Sequence, residues 1–154
     1  MSNVSARKIY EQLVRTLNEK ELNFAQDDDE MTVNATITTE DLPIQFVMRV
    51  MEDRDVLQFR SVLPIKFPED KRVEGAVVTQ IANYGMINGS FDYDIRDGEV
   101  AFRMSTSFTE TMLSSELIWK MLGVSCSTID AYNDRFFMVA KNMMTVEQFI
   151  KADE

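Results

Sequence analysis

Two aspartates, Asp92 and Asp94, are the first residues in this chain whose type and spacing could perform chemistry. A pair of carboxylates can act as general acid and general base in one site. However, they alternate with Phe91, Tyr93 and Ile95, which is the period of a half-buried strand. We therefore interpret both carboxylates as the solvated face of a strand, and acid–base chemistry at this position is the alternative.

Four consecutive carboxylates, Asp27 to Glu30, form a second candidate site because oxygen ligands suit Ca²⁺ and Mg²⁺. Their spacing lacks the alternating ligands, the central glycine and the distal glutamate of an EF-hand loop. The run therefore predicts a solvated turn between two short strands, and we expect no metal and no other cofactor.

Most other catalytic machinery is excluded by composition, since the chain has no histidine and one cysteine, Cys126. Ser-His-Asp and Cys-His mechanisms and histidine-ligated metals are excluded, as is an internal disulfide. The five glycines form neither a GxGxxG motif nor a P-loop. We expect a protein that is not an enzyme.

The charge balance limits the partners, because 26 acidic and 16 basic residues give a net charge of −10. Nucleic acid and anionic membranes need clustered Lys and Arg, so we expect neither as a partner, whereas a basic protein segment would suit this charge. No apolar run reaches a membrane span of about 20 residues. The length predicts one domain over residues 1–154, and cysteine usage predicts a cytoplasmic location.

A β-hairpin is predicted around Asp97-Gly98, a strong signal for a two-residue turn. This turn predicts four cross-strand pairs: Ile95 opposite Val100, Tyr93 opposite Phe102, Phe91 opposite Met104, and Asp92 opposite Arg103. The first three pairs share an apolar face, where we expect Phe91, Tyr93, Ile95, Phe102 and Met104 to be buried. The fourth predicts an ion pair on the other face.

A second hairpin is predicted from residues 44–51 and 56–63, with the turn at residues 52–55. Its register places Val50 opposite Leu57 and Met48 opposite Phe59. The other face of this hairpin carries apolar side chains beside arginines: Val47, Met51, Val62, Arg49 and Arg60. We predict that these five residues form a protein-binding surface, the alternative being that another element of the chain covers them.

Helical periodicity is found in four further segments. Helices are predicted over residues 3–22, from Pro68 to Gly85, from Ser114 to about Lys141 with a break or kink at Gly123, and from a capping box at Thr145. The fold class is therefore α+β: an antiparallel sheet of about five strands with helices packed on it. The predicted order is α-β-β-β-α-β-β-α, followed by the short last helix.

Four stretches carry a family resemblance: residues 81–84, 88–94 and 97–103, and the ending MTVEQFI at 144–150. With them the chain resembles the YbjN-like family, labelled as bacterial sensory transduction regulators, which shares the fold of type III secretion chaperones. The family often begins its last helix with Ser/Thr-Pro-Glu-Glu, and Val146 departs from that pattern. The resemblance implies a small bacterial protein without known catalytic residues. Chaperones of this fold are acidic dimers that hold extended client segments.

The function expected first is a non-enzymatic, chaperone-like or regulatory module that binds an extended protein or peptide client, of basic character, as a homodimer. Three alternatives are left open: a small-ligand sensor or carboxylate-based enzyme using Asp92, Asp94 or Tyr93, a dedicated type III secretion effector chaperone, and a purely structural dimer subunit. A resemblance in fold does not by itself decide among them.

Overall fold

The helices and strands are taken from a computed structural model, which describes residues 3–154, with side chains from residue 6. The helices are α1 (Asn3–Glu19), α2 (Arg72–Tyr84), α3 (Ser115–Ala140) and α4 (Val146–Ala152). The strands are β1 (Phe24–Asp27), β2 (Thr32–Ile37), β3 (Ile44–Met51), β4 (Val56–Lys66), β5 (Ser90–Asp94) and β6 (Glu99–Ser107).

The sheet has the strand order β1-β2-β3-β4-β6-β5. Pairing is antiparallel from β1 to β4 and between β5 and β6. The predicted α+β class with an antiparallel sheet is therefore confirmed. The described residues form six strands rather than about five, because four residues next to the acidic turn, β1, pair with β2. β1 and β2 are the two short strands expected on either side of the acidic turn, but the predicted order α-β-β-β-α-β-β-α counted only one of them.

Two compact units share this chain. The first extends to Ser61 and includes Met104–Cys126, and the second combines Val62–Arg103 with Ser127–Glu154. Each unit therefore takes part of β4, β6 and α3. The single domain over residues 1–154 stays a prediction.

The core of the first unit lies between α1 and the inner face of β2 to β4. Ile9, Leu13 and Leu17 recur at helical spacing and are all fully buried. They face an inner strand surface whose buried residues alternate along each strand: Val33, Ala35, Phe46, Met48, Val50, Leu57 and Phe59. The predicted helix over residues 3–22 is thus confirmed, although it ends at Glu19.

Phe91 is the centre of the second unit's core. Its ring lies edge-on to Phe102, Phe136 and Tyr132, with centroid distances of 5.3, 4.9 and 5.6 Å. Phe136 in turn stacks on Phe149 of α4 at 5.8 Å. The aromatic cluster therefore holds β5, β6, α4 and the second half of α3 together, with edge-on and stacked geometries that aromatic pairs favour.

The hairpin of β5 and β6 differs from its predicted register. Phe91 lies opposite Phe102 and Asp92 opposite Ala101, a slip of two residues. The turn has four residues, 95 to 98, and Ile95 is 51% exposed instead of buried. Because strands alternate with a period of two, this slip leaves every side chain on its predicted face. Alternation could therefore not distinguish the two registers.

Other parts of this hairpin agree with the prediction. Phe91, Phe102 and Met104 are buried, while Tyr93 is half-buried. Gly98 has the expected positive φ, at +80°, but Asp97 does not, so the turn is not type I′. The ion pair of Asp92 with Arg103 forms diagonally, at 2.8 Å.

The hairpin of β3 and β4 has its predicted register, with Val50 opposite Leu57 and Met48 opposite Phe59. The predicted end of β4 before Pro64 is wrong, because the strand continues to Lys66. Pairing with β3 extends only as far as Arg60. Pro64, which has no N–H to donate, therefore lies beyond the part of β4 that is hydrogen-bonded to β3.

The remaining helix predictions hold with small changes. A 3₁₀ turn over residues 69–71 precedes α2, and Gly85 follows its last residue. α3 is one continuous helix, without the break expected at Gly123. The capping box is confirmed, since the side chains of Thr145 and Gln148 each accept a hydrogen bond from the other's backbone N–H.

Candidate protein-binding surfaces

The predicted surface residues of β3 lie on the outer face of the sheet in the first unit. Val47 is opposite Arg60 of β4 and Asn34 of β2, and Thr32 is opposite Arg49. Val47 is 43% exposed, which shows that none of the described helices covers it.

The other members of the predicted surface are partly accessible as well. Met51 and Arg60 are half-buried, and Arg49 is exposed. Val62, in the second unit, is exposed and is the next residue after Arg60 on the same face of β4. Whether the five residues bind a protein stays a prediction.

The chemistry of this outer face is polar with isolated apolar groups. Its neutral members on β2, β3 and β4 are Thr32, Asn34, Thr36, Gln45 and Gln58. Next to Arg49, an open depression of about 420 Å³ is lined by the carboxylates of Asp29, Glu30, Glu52 and Asp53. The surface is therefore suited to hydrogen bonding and ion pairing more than to deep burial of apolar groups.

Asp92 and Asp94, the candidates for acid–base chemistry, are each held by an arginine. Arg103 donates to both oxygens of Asp92 at 2.8 and 3.0 Å. Arg96 donates to both oxygens of Asp94 at 2.9 Å, and these bonds lower the pKa of Asp94 to about 2. The Tyr93 hydroxyl donates to the Arg72 carbonyl at 2.7 Å. These contacts give each polar group a structural partner, and they do not favour a proton-transfer role.

The two edges of the sheet differ in their accessibility. At the β5 edge, the Asn83 carboxamide donates to the carbonyl of Phe91 at 2.9 Å and accepts from its N–H at 2.7 Å. Asn83 thus bonds Phe91 as a residue of a neighbouring strand would. This arrangement blocks the middle of the β5 edge to another chain.

The direction of the backbone groups of β1 follows from hydrogen-bond alternation in antiparallel pairs. Thr36 donates to the Asn23 carbonyl, so Asn23 and Thr36 form a hydrogen-bonded pair. The next residue, Phe24, and then Gln26 must point their N–H and C=O groups away from β2. In the part of the chain that the structure describes, no hydrogen bond meets these outward groups.

An open groove of about 480 Å³ lies between α1 and β1. Its lining includes Tyr10 and Val14 of α1, together with Glu11, Glu19 and Asp28. The hydroxyl of Tyr10 donates to Asp28 at 2.8 Å. Burial, together with this bond, raises the pKa of Tyr10 to about 12. No pattern in the sequence predicted this groove, and the related expectation was of two short strands around the acidic turn.

The outward face of α2 carries a line of exposed apolar side chains, which we call the α2 stripe: Val73, Val77, Tyr84 and, just beyond the helix, Ile87. Val73 is 66% exposed, Tyr84 88% and Ile87 95%. Helical periodicity predicted the helix from Pro68 to Gly85 but did not predict which of its apolar residues would face solvent.

Small residues explain why α2 turns this face outward. Gly75 lies against the ring of Tyr93, where an added Cβ would overlap the Tyr93 hydroxyl. The other buried residues of α2 are Val78, Thr79 and Ala82. Because this face of α2 is narrow, the helix packs closely on β5, and the larger apolar residues remain on the solvent side.

Among the described residues, no helix is long and apolar enough to cross a membrane.

Comparisons with known proteins agree with this architecture. The family model "YbjN: Putative bacterial sensory transduction regulator" matches residues 10–138. No curated protein matches the chain.

Two solved structures share the fold. "Crystal structure of YbjN, a putative transcription regulator from E. coli" aligns with a TM-score of 0.60 at 10% identity, covering 93% of this chain and 90% of that one. "Structure of the HopA1-SchA Chaperone-Effector Complex" aligns with a TM-score of 0.57 at 12% identity, covering 87% of this chain and 99% of that one. At these identities the likeness concerns the fold alone, whereas the family match spans most of the chain. The chain therefore belongs to the YbjN family.

Proposed function

We propose that this protein is a non-catalytic protein-binding module that acts as a homodimer and holds an extended segment of a client protein in the bacterial cytoplasm. The observation that carries the proposal is the α2 stripe. Exposed apolar side chains in line on one helix face are typical of a protein interface, because a monomer gains nothing by leaving them in water. The resemblance in fold to a chain of a chaperone–effector complex supports the same reading.

A second copy of the chain is the partner that suits the α2 stripe best. The chain has a net charge of −10, so two copies repel each other wherever their carboxylates meet. Residues 75–90 contain no charged side chain. Two copies related by a two-fold axis can bring these segments together without placing like charges in contact.

The client would bind elsewhere on the chain. The outer face of the first unit supplies apolar contacts through Val47 and Met51, and Arg49 supplies donors for a backbone or for carboxylates. The excess of carboxylates over the whole chain favours a client of basic character and speeds its encounter. A narrower form of the proposal is a chaperone dedicated to a secreted effector, and the chaperone–effector complex among the similar structures favours it.

Sedimentation of the parent and a Val77→Glu/Tyr84→Glu variant tests the dimer. The parent should sediment as a dimer and the variant as a folded monomer, because each carboxylate buried in an apolar interface costs several kcal/mol of desolvation free energy. Thr111→Glu, which adds a carboxylate at an exposed loop position, is the matched control and should leave the dimer intact.

Affinity capture from the native bacterium followed by mass spectrometry tests client binding. A specific polypeptide should be recovered with the parent protein. A folded, monomeric parent that captures no polypeptide would contradict the proposed function.

A further inference from the structure

We propose that the outward edge of β1 accepts one strand of the client, and that this strand alternates apolar and basic side chains. The inference rests on the proposed function, for which it names the docking edge and the chemistry of the client. It is independent of the α2 stripe and of the outer face of β3 and β4.

The outward backbone groups of β1 are arranged as an added strand requires. Phe24 and Gln26 point two N–H and two C=O groups away from β2, as their pairing requires. Groups on alternate residues are what a further strand needs for its own ladder of hydrogen bonds. The opposite edge lacks this property at its centre, because Asn83 already occupies both groups of Phe91.

The end of β1 is held in place before any client binds. Arg7 donates to the Asp28 carbonyl at 2.8 Å, and the Tyr10 hydroxyl and the Gln26 amide reach the Asp28 carboxylate at 2.8 and 2.7 Å. These bonds tie the end of β1 to α1. An edge that is already ordered loses less conformational entropy when a strand adds to it.

On one side, the added strand would meet side chains of the inner face of the sheet. Phe24 and Gln26 share the sheet face of their partners Ala35 and Val33, which is the inner face towards α1. On this side the added strand would place alternate residues over the groove that Tyr10 and Val14 help to line. Apolar side chains of the client suit these positions.

The charges around the groove specify the remaining client residues. The groove lining includes the carboxylates of Glu11, Glu19 and Asp28 and the guanidinium groups of Arg7 and Arg15, so one negative charge is in excess. The run of carboxylates at residues 27–30, which begins at the last residue of β1, adds further negative charge beside the groove. Lysine or arginine on the client would complement the surplus of carboxylates, whereas acidic residues would be repelled.

The test uses the full-length protein and a labelled synthetic peptide of about eight residues, a usual strand length, that alternates valine and lysine. Binding is followed by fluorescence anisotropy, and backbone amide exchange is followed by NMR. The peptide should slow exchange at Phe24 and Gln26 about tenfold or more, because each amide gains a hydrogen bond. Ala25 and Asp27, whose amides already face β2, should change little.

Two variants at one position separate the backbone from the side chain. Gln26→Pro removes an outward N–H and should weaken peptide binding about tenfold, while keeping the ladder to β2. Gln26→Ala loses the same side chain, with its bond to Asp28, but keeps the N–H, so it should bind the peptide about tenfold more tightly than Gln26→Pro does, and this difference reports the backbone hydrogen bond. A peptide that alternates valine and glutamate should bind more weakly than the lysine peptide.

Unchanged exchange at Phe24 and Gln26 with the lysine peptide bound would overturn the inference, even if Gln26→Pro failed to fold. Failure of the parent to bind the lysine peptide would overturn it as well. Neither result contradicts the proposed function. That function would be contradicted by a monomeric parent that captures no polypeptide. Loss of peptide binding in Val47→Glu, with no change in Gln26→Pro, would show that the peptide binds the outer face and would overturn the inference for the β1 edge.

Discussion

The backbone N–H of Phe67 donates to the carbonyl oxygen of Gly98 at 3.0 Å, and a Cβ on Gly98 would overlap the carbonyl oxygen of Phe67. Gly98 also has a φ of +80°, which a residue with a side chain adopts at a cost of about 1 kcal/mol. Position 98 therefore requires glycine for two reasons: the positive φ of the turn and the close approach of the segment that follows β4.

Gly98→Ala should lower the free energy of unfolding by about 2–4 kcal/mol, because the overlap with Phe67 adds to the conformational cost. Gly123→Ala is the matched control. Gly123 lies in α3 with open space around it, so the same substitution there should stabilise the protein by about 0.5–1 kcal/mol. Urea denaturation measures both variants, and changes of the same sign would contradict this account of the turn.

Asn83→Ala should destabilise the protein by about 1–3 kcal/mol, since it leaves the N–H and C=O of Phe91 without their partners. It should also increase aggregation, because the β5 edge becomes available to other chains. Thermal melts and light scattering measure the two effects. Asn88→Ala, at an exposed position, is the control, and an equal loss of stability in both variants would argue against edge protection.

Val47→Glu and Met51→Glu should weaken client binding while shifting the melting temperature by only a few degrees, about 2–5 °C. Val47 is largely exposed and Met51 is half-buried, so neither glutamate is forced into the core. Met48→Glu is the contrasting variant, because Met48 is fully buried and its replacement should prevent folding. Unchanged client binding in both surface variants would remove this face from the proposed site.

The free energy of unfolding should fall as pH rises from 10 to 12. Tyr10 has its pKa raised from 10 to about 12, first by burial and then by the hydrogen bond to Asp28. The folded state therefore favours the neutral phenol. Its contribution is complete below pH 10 and is lost as pH approaches the folded-state pKa, with a maximum of about 3 kcal/mol.

Tyr10→Phe tests this dependence, because phenylalanine does not ionise. Denaturation between pH 9 and 12 should give a shallower decline for the variant than for the parent. Identical slopes for the parent and Tyr10→Phe would mean that Tyr10 does not carry the effect.

Local sequence determined several parts of this structure. The β3–β4 register follows from apolar alternation on both strands and a four-residue turn between them. The start of α4 follows from the capping box, whose bonds involve only residues 145 and 148. α3 follows from long helical periodicity. In each case the residues that determine the element are close together in the chain. Their pattern can therefore be recognised in the sequence alone.

Contacts distant in sequence decided the rest. The β5–β6 register slipped by two residues without moving any side chain to the other face, and Gly98 of its turn lies against Phe67 of the preceding strand's end. The α2 stripe faces solvent because the narrow side of the helix at Gly75 fits against Tyr93. The free edge of β1 exists because four residues without a clear pattern pair with β2. Periodicity alone is compatible with more than one strand register and more than one helix orientation. Close packing between residues distant in sequence selects one of them, and this packing is seen only in the tertiary structure.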